Sequence, residues 1–291
     1  AASGPGAGEW LLAVPSSPDT TLVDGYMRAA MALRIGVPLP FGPLRTRCAC
    51  GEELDAHGDH LLNCRYGQGW RIHRHNASRD VLINIFRDAK YTVAKEQTLR
   101  TLGVPSSNPA MRLDGVVYSL GVRGATVTFD VTHAHPTSTA PSARSAMGSA
   151  GEDADSVIRA KEALKRRTYR DVLRADATRH TAVQLQPLVA LTYGRWSKLT
   201  KTLLHKAAQE YLAKNGSPDP SSWRVQQVMR RWWGWLSCSL QRGNAMVLWN
   251  GYQRGINKQA GLDAIRYDAY ETDPRTLGAP DIILGASLPR T

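Results

Sequence analysis

The sequence predicts an α/β protein, a mixed sheet flanked by helices with helical additions at both ends. Apolar residues recur at helical spacing and then pass into β-branched runs, in the order helix, strand, hairpin, helix, strand, helix. The chain has 291 residues, 42% of them hydrophobic, enough to bury one sizeable core. No window approaches the roughly 20 apolar residues a bilayer span needs. The opening AASGPGAGEW lacks the basic and apolar regions of a signal peptide. An intracellular protein with no membrane partner is expected.

After a Gly/Pro/Ser opening, TTLVDGYMRAAMALRIGV keeps helical spacing and stops at Gly36, just before Pro38 and Pro40. A cysteine-rich stretch follows. HRHNASRDVLINIFRDA then sets Val81, Leu82, Ile85, Phe86 and Ala89 on one face and arginines on the other, which predicts the first core helix. YTVAKE is a short strand ending at Glu96. MRLDGVVYSL and ATVTFDVTHAH, separated by the turn signal GVRG, form a hairpin. Residues 136–154 are rich in Pro, Ser, Gly and Ala without periodicity, a loop able to order on a ligand. A helix through SVIRAKEALKRRTYRDVL turns Val157, Ala160, Leu164 and Val172 inward. VQLQPLVALTYG reads as a buried strand closed by Gly194. From Arg195 the pattern is helical again, through RWSKLTKTLLHKAAQEYLAK and, past NGSPDPSS, a segment holding RRWWGWL. There is no internal repeat.

Lys and Arg outnumber Asp and Glu by 37 to 25, a net charge of +12, as expected of a protein that meets a polyanion. Three of the four cysteines fall in CACGEELDAHGDHLLNC with two of the eight histidines. Cys48, Cys50, His60 and Cys64 offer three thiolates and an imidazole, the closed tetrahedral set of a structural Zn²⁺, with His57 competing for the place of His60. A fourth protein ligand leaves no open position for catalysis. This pattern fits a metal site better than a disulfide framework, so no disulfides are expected. Cys238, inside WLSCSL, reads as a small buried hydrophobe.

A second constellation is acidic. Glu96, Asp114 and Asp130 fall on three successive strand candidates, so their carboxylates can meet on one sheet, where a hard cation such as Mg²⁺ or Mn²⁺ finds the oxygen ligands it selects. A single acid at a strand end is ordinarily solvated or salt-bridged. Asp130, however, lies among the apolar residues of TVTFDVTHA, where a lone charge is costly without a partner or a metal. Lys161, Lys165 and Tyr169 recur every four residues on the next helix and form one stripe, which serves either as an ordinary solvated basic face or as a lysine that neutralises charge on a phosphate.

Strung together, the run from Glu96 through RLDGVV and VTFDVT to K-x3-Y resembles the PD-(D/E)xK nuclease core of type II restriction enzymes and archaeal Holliday-junction resolvases. With CACG, DAHGDHLLNC and RHN upstream, the order is similar to the C-terminal zinc knuckle and restriction-like endonuclease of site-specific non-LTR retrotransposons, including the spliced-leader-inserting elements of trypanosomatids. The resemblance spans roughly residues 20 to 195. It implies a restriction-endonuclease-like sheet, with Glu96 as helper acid and Asp114 and Asp130 as ligands of a catalytic Mg²⁺ or Mn²⁺. Two positions depart from the pattern: Leu113 replaces the proline, and Thr132 stands where the D-x-K lysine belongs. In the retrotransposon group that lysine is often displaced to the following helix, which implies Lys165 with Tyr169, and Lys161 second.

Under this reading residues 1–47 are an N-terminal helical segment, 48–67 the zinc knuckle, 68–215 the endonuclease core and 216–291 a C-terminal helical extension. The expected function is metal-dependent endonucleolytic nicking of DNA. The alternative is a catalytically degenerate nuclease fold that binds nucleic acid or serves an assembly. Arg74, His75, Arg166, Arg167, Arg230 and Arg231 are candidate nucleic-acid contacts, with Arg242 available to phosphate. His73, His133 and His135 carry no assigned role, and core packing is expected of Trp232, Trp235 and Trp249. Expected partners are double-stranded or branched DNA, RNA, a reverse-transcriptase module or a second copy, in the nucleus or the mitochondrion. No Y-x-D-D run of a reverse transcriptase is present in this sequence.

Overall fold

The structure, a computed structural model, describes residues 3–40, 47–120, 124–136, 154–178, 183–216 and 222–259. At its centre is a four-stranded mixed sheet in the order β1 (Val93–Thr98), β2 (Arg112–Val117), β3 (Thr126–Ala134), β4 (Val183–Leu191). β1, β2 and β3 pair antiparallel in turn, and β3 and β4 run parallel. The hairpin and the buried fourth strand stand where the β-branched runs predicted them. β1 continues two residues past Glu96, which lies inside the strand with φ +51° instead of ending it.

β3 is buried along most of its length because both its faces are covered. Val127, Phe129 and Val131 pack with α3 (Gln68–Asp88), α6 (Lys198–Lys214) and α7 (Ser222–Gln259). On the other face Ala134 packs with Val157 and Ile158 of α4 (Ala154–Thr168), while Tyr169 and Val172, at the start of α5 (Arg170–Thr178), cover Leu113 and Leu185. Strand alternation thus sends Phe129 to one layer and Asp130 to the other. The Phe86 and Phe129 rings meet at 5.7 Å between centroids, and burial of such side chains stabilises by about 1.5–3 kcal/mol each.

The predicted single helix over SVIRAKEALKRRTYRDVL is two helices, bent at Tyr169, whose ring turns into the sheet. Val157 and Val172 are buried and Ala160 half-buried, but Leu164, expected inward, is exposed.

α1 (Asp24–Ile35) ends at Gly36 in the left-handed conformation, as the sequence predicted. α7 is a long helix whose Trp232, Trp233, Leu236 and Leu240 belong to the principal core, so residues 222–259 share one core with the sheet. Trp235 and Trp249 are half-buried, and Cys238 is fully buried beside Trp10. The loop expected over residues 136–154 lies almost wholly outside the described residues. Among the described residues, no helix is long and apolar enough to cross a membrane.

Candidate functional site

Two constellations stand at opposite ends of the first half of α3. The first is the cysteine cluster. Cys48 and Cys50 flank a tight turn in which the Gly51 amide donates to the Cys48 carbonyl, and Gly51 and Gly58 take positive φ of 99° and 78°. His60 and Cys64 lie four apart on and just past the short α2 (Asp59–Asn63), so the helix puts them on one face. The Asp55 carboxylate starts that helix by accepting the amides of His57, Asp59 and His60 at 2.8–3.0 Å.

The ligand atoms of Cys48, Cys50, His60 and Cys64 all lie within 4.8 Å of one another. Cys48 Sγ and Cys64 Sγ are 3.6 Å apart, and Cys50 Sγ and His60 Nε2 3.2 Å, close to the edge of about 3.8 Å that four ligands at about 2.3 Å give a tetrahedron. Burial and the neighbouring thiols push the Cys48 thiol up to about 12, so its thiolate form calls for a cation. This group can hold a structural metal such as zinc. His60 is in the set, whereas His57 is exposed.

The knuckle is fastened on two sides. Leu61 and Leu62 pack against Val247 and Leu248 of α7, whose Lys258 and Arg254 donate to the Ala49 and Tyr66 carbonyls. Asp59 Oδ1 meets His135 Nε2 at 2.9 Å and the Tyr193 hydroxyl at 3.1 Å, joining α2 to the ends of β3 and β4. His135 is therefore a buried brace.

The second constellation forms where β2 and β3 part. Their ladder runs from Val117↔Val127 to Gly115↔Phe129, and the next two residues are Asp114 and Asp130. A Cβ on Gly115 would lie 2.2 Å from the Phe129 ring, so only glycine lets that ring cover β2 here. Beyond this pair Asp114 Oδ2 accepts the Val131 amide at 2.6 Å, a side chain replacing a ladder bond, and Asp114 Oδ1 meets His75 Nε2 of α3 at 3.1 Å.

Asp130 is buried. Its Oδ2 meets the Lys165 ammonium at 2.6 Å and its Oδ1 accepts the Tyr169 hydroxyl at 2.9 Å. The same hydroxyl lies 2.9 Å from the Arg112 carbonyl, so Tyr169 ties β2 to β3 at the splay. Burial, followed by the charge of Asp114, raises the Asp130 carboxyl above its ordinary value, while Lys165 and Tyr169 oppose that rise. Burial and Asp130 together raise the Tyr169 phenol, which stays a donor.

Of the two lysines on this stripe, Lys165 is the one that reaches Asp130, and half-buried Lys161 is not. Glu96 lies between the pairs Lys95↔Gly115 and Gln97↔Leu113, and so across from Asp114. Its carboxylate, however, is held by Arg79 of α3 and lies 3.8 Å from Arg112. Among the described residues the only group of three or more His, Cys, Asp and Glu ligands is the knuckle, so Glu96 does not join the two aspartates in such a group.

The expected surface arginines divide. Arg166 and Arg167 are exposed on α4, directly after Lys165 in the sequence. Arg74 is buried, donating to Asn244 Oδ1 of α7 at 2.8 Å, because its place on α3 faces the helix interface; it is a packing residue, not a surface contact. Arg231 pairs with Asp88 at the other end of α3, thirteen residues or about 20 Å from His75. Arg230 beside it is exposed, and Arg242 donates to the Pro18 and Thr21 carbonyls, pinning the N-terminal segment. His133 meets Ser78 Oγ at 3.1 Å; burial and the charges of Arg74 and His75 keep it neutral, its value pushed well below the ordinary one. His73 is exposed.

Arg79 was not anticipated. Its one sequence signal is the i, i+4 spacing from His75, which places both on the helix face that meets Asp114 and Glu96. The chain matches no protein-family model and no curated protein.

Proposed function

We propose that the chain is a divalent-metal-dependent DNA endonuclease of the restriction-like type. One observation carries this reading: Lys165, displaced to the helix after β3, reaches the buried Asp130 at 2.6 Å, with Asp114 at the neighbouring position across the strand splay. A structural ion pair needs one carboxylate. Here two acids occupy neighbouring strands at the point where the ladder opens, and Asp130 is raised by burial and by Asp114, a surplus of negative charge that a cation relieves. The helix, three antiparallel strands, helix and parallel strand, with acids on β2 and β3, support the restriction-like fold.

Asp114 and Asp130 would hold Mg²⁺ or Mn²⁺, which supplies Lewis-acid activation of a phosphodiester and of water. Lys165 contributes a fixed positive charge for the developing phosphorane charge or for orienting the attacking water. Tyr169 fixes the Asp130 rotamer and holds the two strands at their parting. Exposed Arg166 and Arg167 extend positive charge along the same helix for the DNA backbone. The knuckle braces the start of α3 and the ends of β3 and β4, outside the chemistry. By resemblance, the nick is the target-DNA cut of a non-LTR retrotransposon, made beside a reverse-transcriptase module in the nucleus.

Nicking of supercoiled plasmid and of branched DNA in Mg²⁺ tests this. Wild type should nick and Asp114→Ala should not, with equal DNA binding. A second reading, a degenerate module that only binds, is favoured by the engagement of Glu96 with Arg79 and Arg112. Salt-sensitive binding without nicking of any substrate would decide for it.

A further inference from the structure

We propose that His75 is a positioning residue for Asp114, and that α3 is therefore part of the acid site and not merely its packing support. The inference rests on the reading of Asp114 and Asp130 as a metal-binding pair.

The two aspartates are held from opposite faces of the sheet. Asp130 is gripped from the α4 side by Lys165 and Tyr169. Among the described residues the hydrogen bonds of Asp114 come from the Val131 amide in the sheet and from His75 Nε2 of α3. One hydrogen bond leaves a carboxylate free to turn about its Cβ–Cγ bond. Two bonds to different oxygens fix its plane. An ionised carboxylate has about four lone-pair sites, so two remain for a cation.

Geometry distinguishes this role from ordinary packing. The His75 side chain is 29% exposed, so its ring is only partly committed to the core, and that of Asp114 is 14% exposed. Donation to the carboxylate requires the hydrogen on Nε2. The neighbouring His133 ring stands edge-on at 6.4 Å and is occupied with Ser78, so it does not substitute. A ligating carboxylate that is itself hydrogen-bonded is the usual second layer of a metal site, and loss of such a partner typically costs 10- to 100-fold in metal affinity. One turn along, Arg79 holds Glu96, so a single helix face carries the partners of both acids on β1 and β2.

The test uses the full chain with its knuckle loaded with zinc and Mn²⁺ as the probe, bound metal being read from the loss of the free-ion electron paramagnetic resonance signal. Wild type, Asp114→Ala, His75→Ala and His75→Gln are compared with melting curves and nicking rates. Gln places an amide N–H near the position of Nε2, so it should keep affinity within a few-fold of wild type. His75→Ala should weaken Mn²⁺ about 10- to 100-fold and raise the Mn²⁺ needed for half-maximal nicking in proportion, with the melting temperature close to that of His75→Gln. Equal Mn²⁺ affinity in wild type and His75→Ala, or equal loss in Ala and Gln, overturns the positioning role while leaving the acid site standing. Wild type that binds no Mn²⁺ sensitive to Asp114→Ala removes both readings.

Discussion

The knuckle and the acid pair reach comparable precision by opposite routes. The knuckle draws its ligands from one short stretch, with Cys48 and Cys64 only sixteen positions apart, and two turns and a five-residue helix bring them together. The acid site draws on four elements: His75 from α3, Asp114 from β2, Asp130 from β3 and Lys165 from α4. A locally closed site needs its metal to hold its shape, because so short a segment buries little apolar area of its own. A site assembled from distant elements inherits its shape from the core, so its side chains can be changed for chemistry while the fold persists.

The sharpest way to break that comparison is to remove a ligand from each side. Cys64→Ser should abolish zinc binding, read as metal per chain, and lower the melting temperature by several degrees, because the structural ion contributes its binding free energy to folding. Leu61 and Leu62 then lose their place on α7. On the proposed endonuclease reading, removing Asp114 or Asp130 should do the reverse, ending nicking with the fold intact. If Cys64→Ser leaves the melting curve unchanged, the knuckle is not a structural support.

Within the acid site, Lys165→Met should lower the nicking rate about 10²- to 10³-fold, the scale of losing one preorganised electrostatic group, with zinc content unchanged. Tyr169→Phe should act more mildly and mainly on stability. It removes a hydroxyl that lies 2.9 Å from both the Arg112 carbonyl and Asp130, at a cost of about 1–3 kcal/mol for the buried acceptor left unpaired. Denaturant midpoints and nicking rates measured together separate the two effects, and an equal loss of rate in both variants would contradict the assignment of charge to Lys165 alone.

The same contrast explains what was legible in the sequence. The knuckle was read almost completely, including its histidine, because spacing along the chain is spacing in space over so short a range. The strands and core helices were legible through periodicity. The four-residue interval showed a stripe of Lys161, Lys165 and Tyr169, and the choice of Lys165 with Tyr169 was what the resemblance implied; the bend at Tyr169 was not legible, because it arises from the ring turning into the sheet, a tertiary demand. Arg74 and His75 are neighbours in one motif and have opposite fates, one buried against α7 and one at Asp114. A helix turns 100° per residue, and only the packing says which direction is inward. Glu96 was placed on the right strand, yet its left-handed backbone and its capture by Arg79 leave no trace in local pattern.

The smallest expected effect bears on whether the acid site is held against its own electrostatics. Asp130 has its folded-state value raised, by burial first and then by Asp114. Between the unfolded carboxylate value and that raised value the native state binds more protons than the unfolded state, so stability falls as pH climbs through this window. Below the window both states are protonated, and above it the full penalty of the buried charge persists. Asp130→Asn, which keeps an acceptor for Tyr169 and removes the charge, should therefore melt higher than wild type at neutral pH and converge with it as pH is lowered past the ordinary aspartate range. No such gain is expected from neutralising the solvent-facing Glu53, whose pairing with Arg47 is exposed on both sides. If Asp130→Asn instead lowers the melting temperature at neutral pH, the Lys165 ion pair outweighs burial and repulsion. Asp130 would then be a stabilising residue and not a strained functional one.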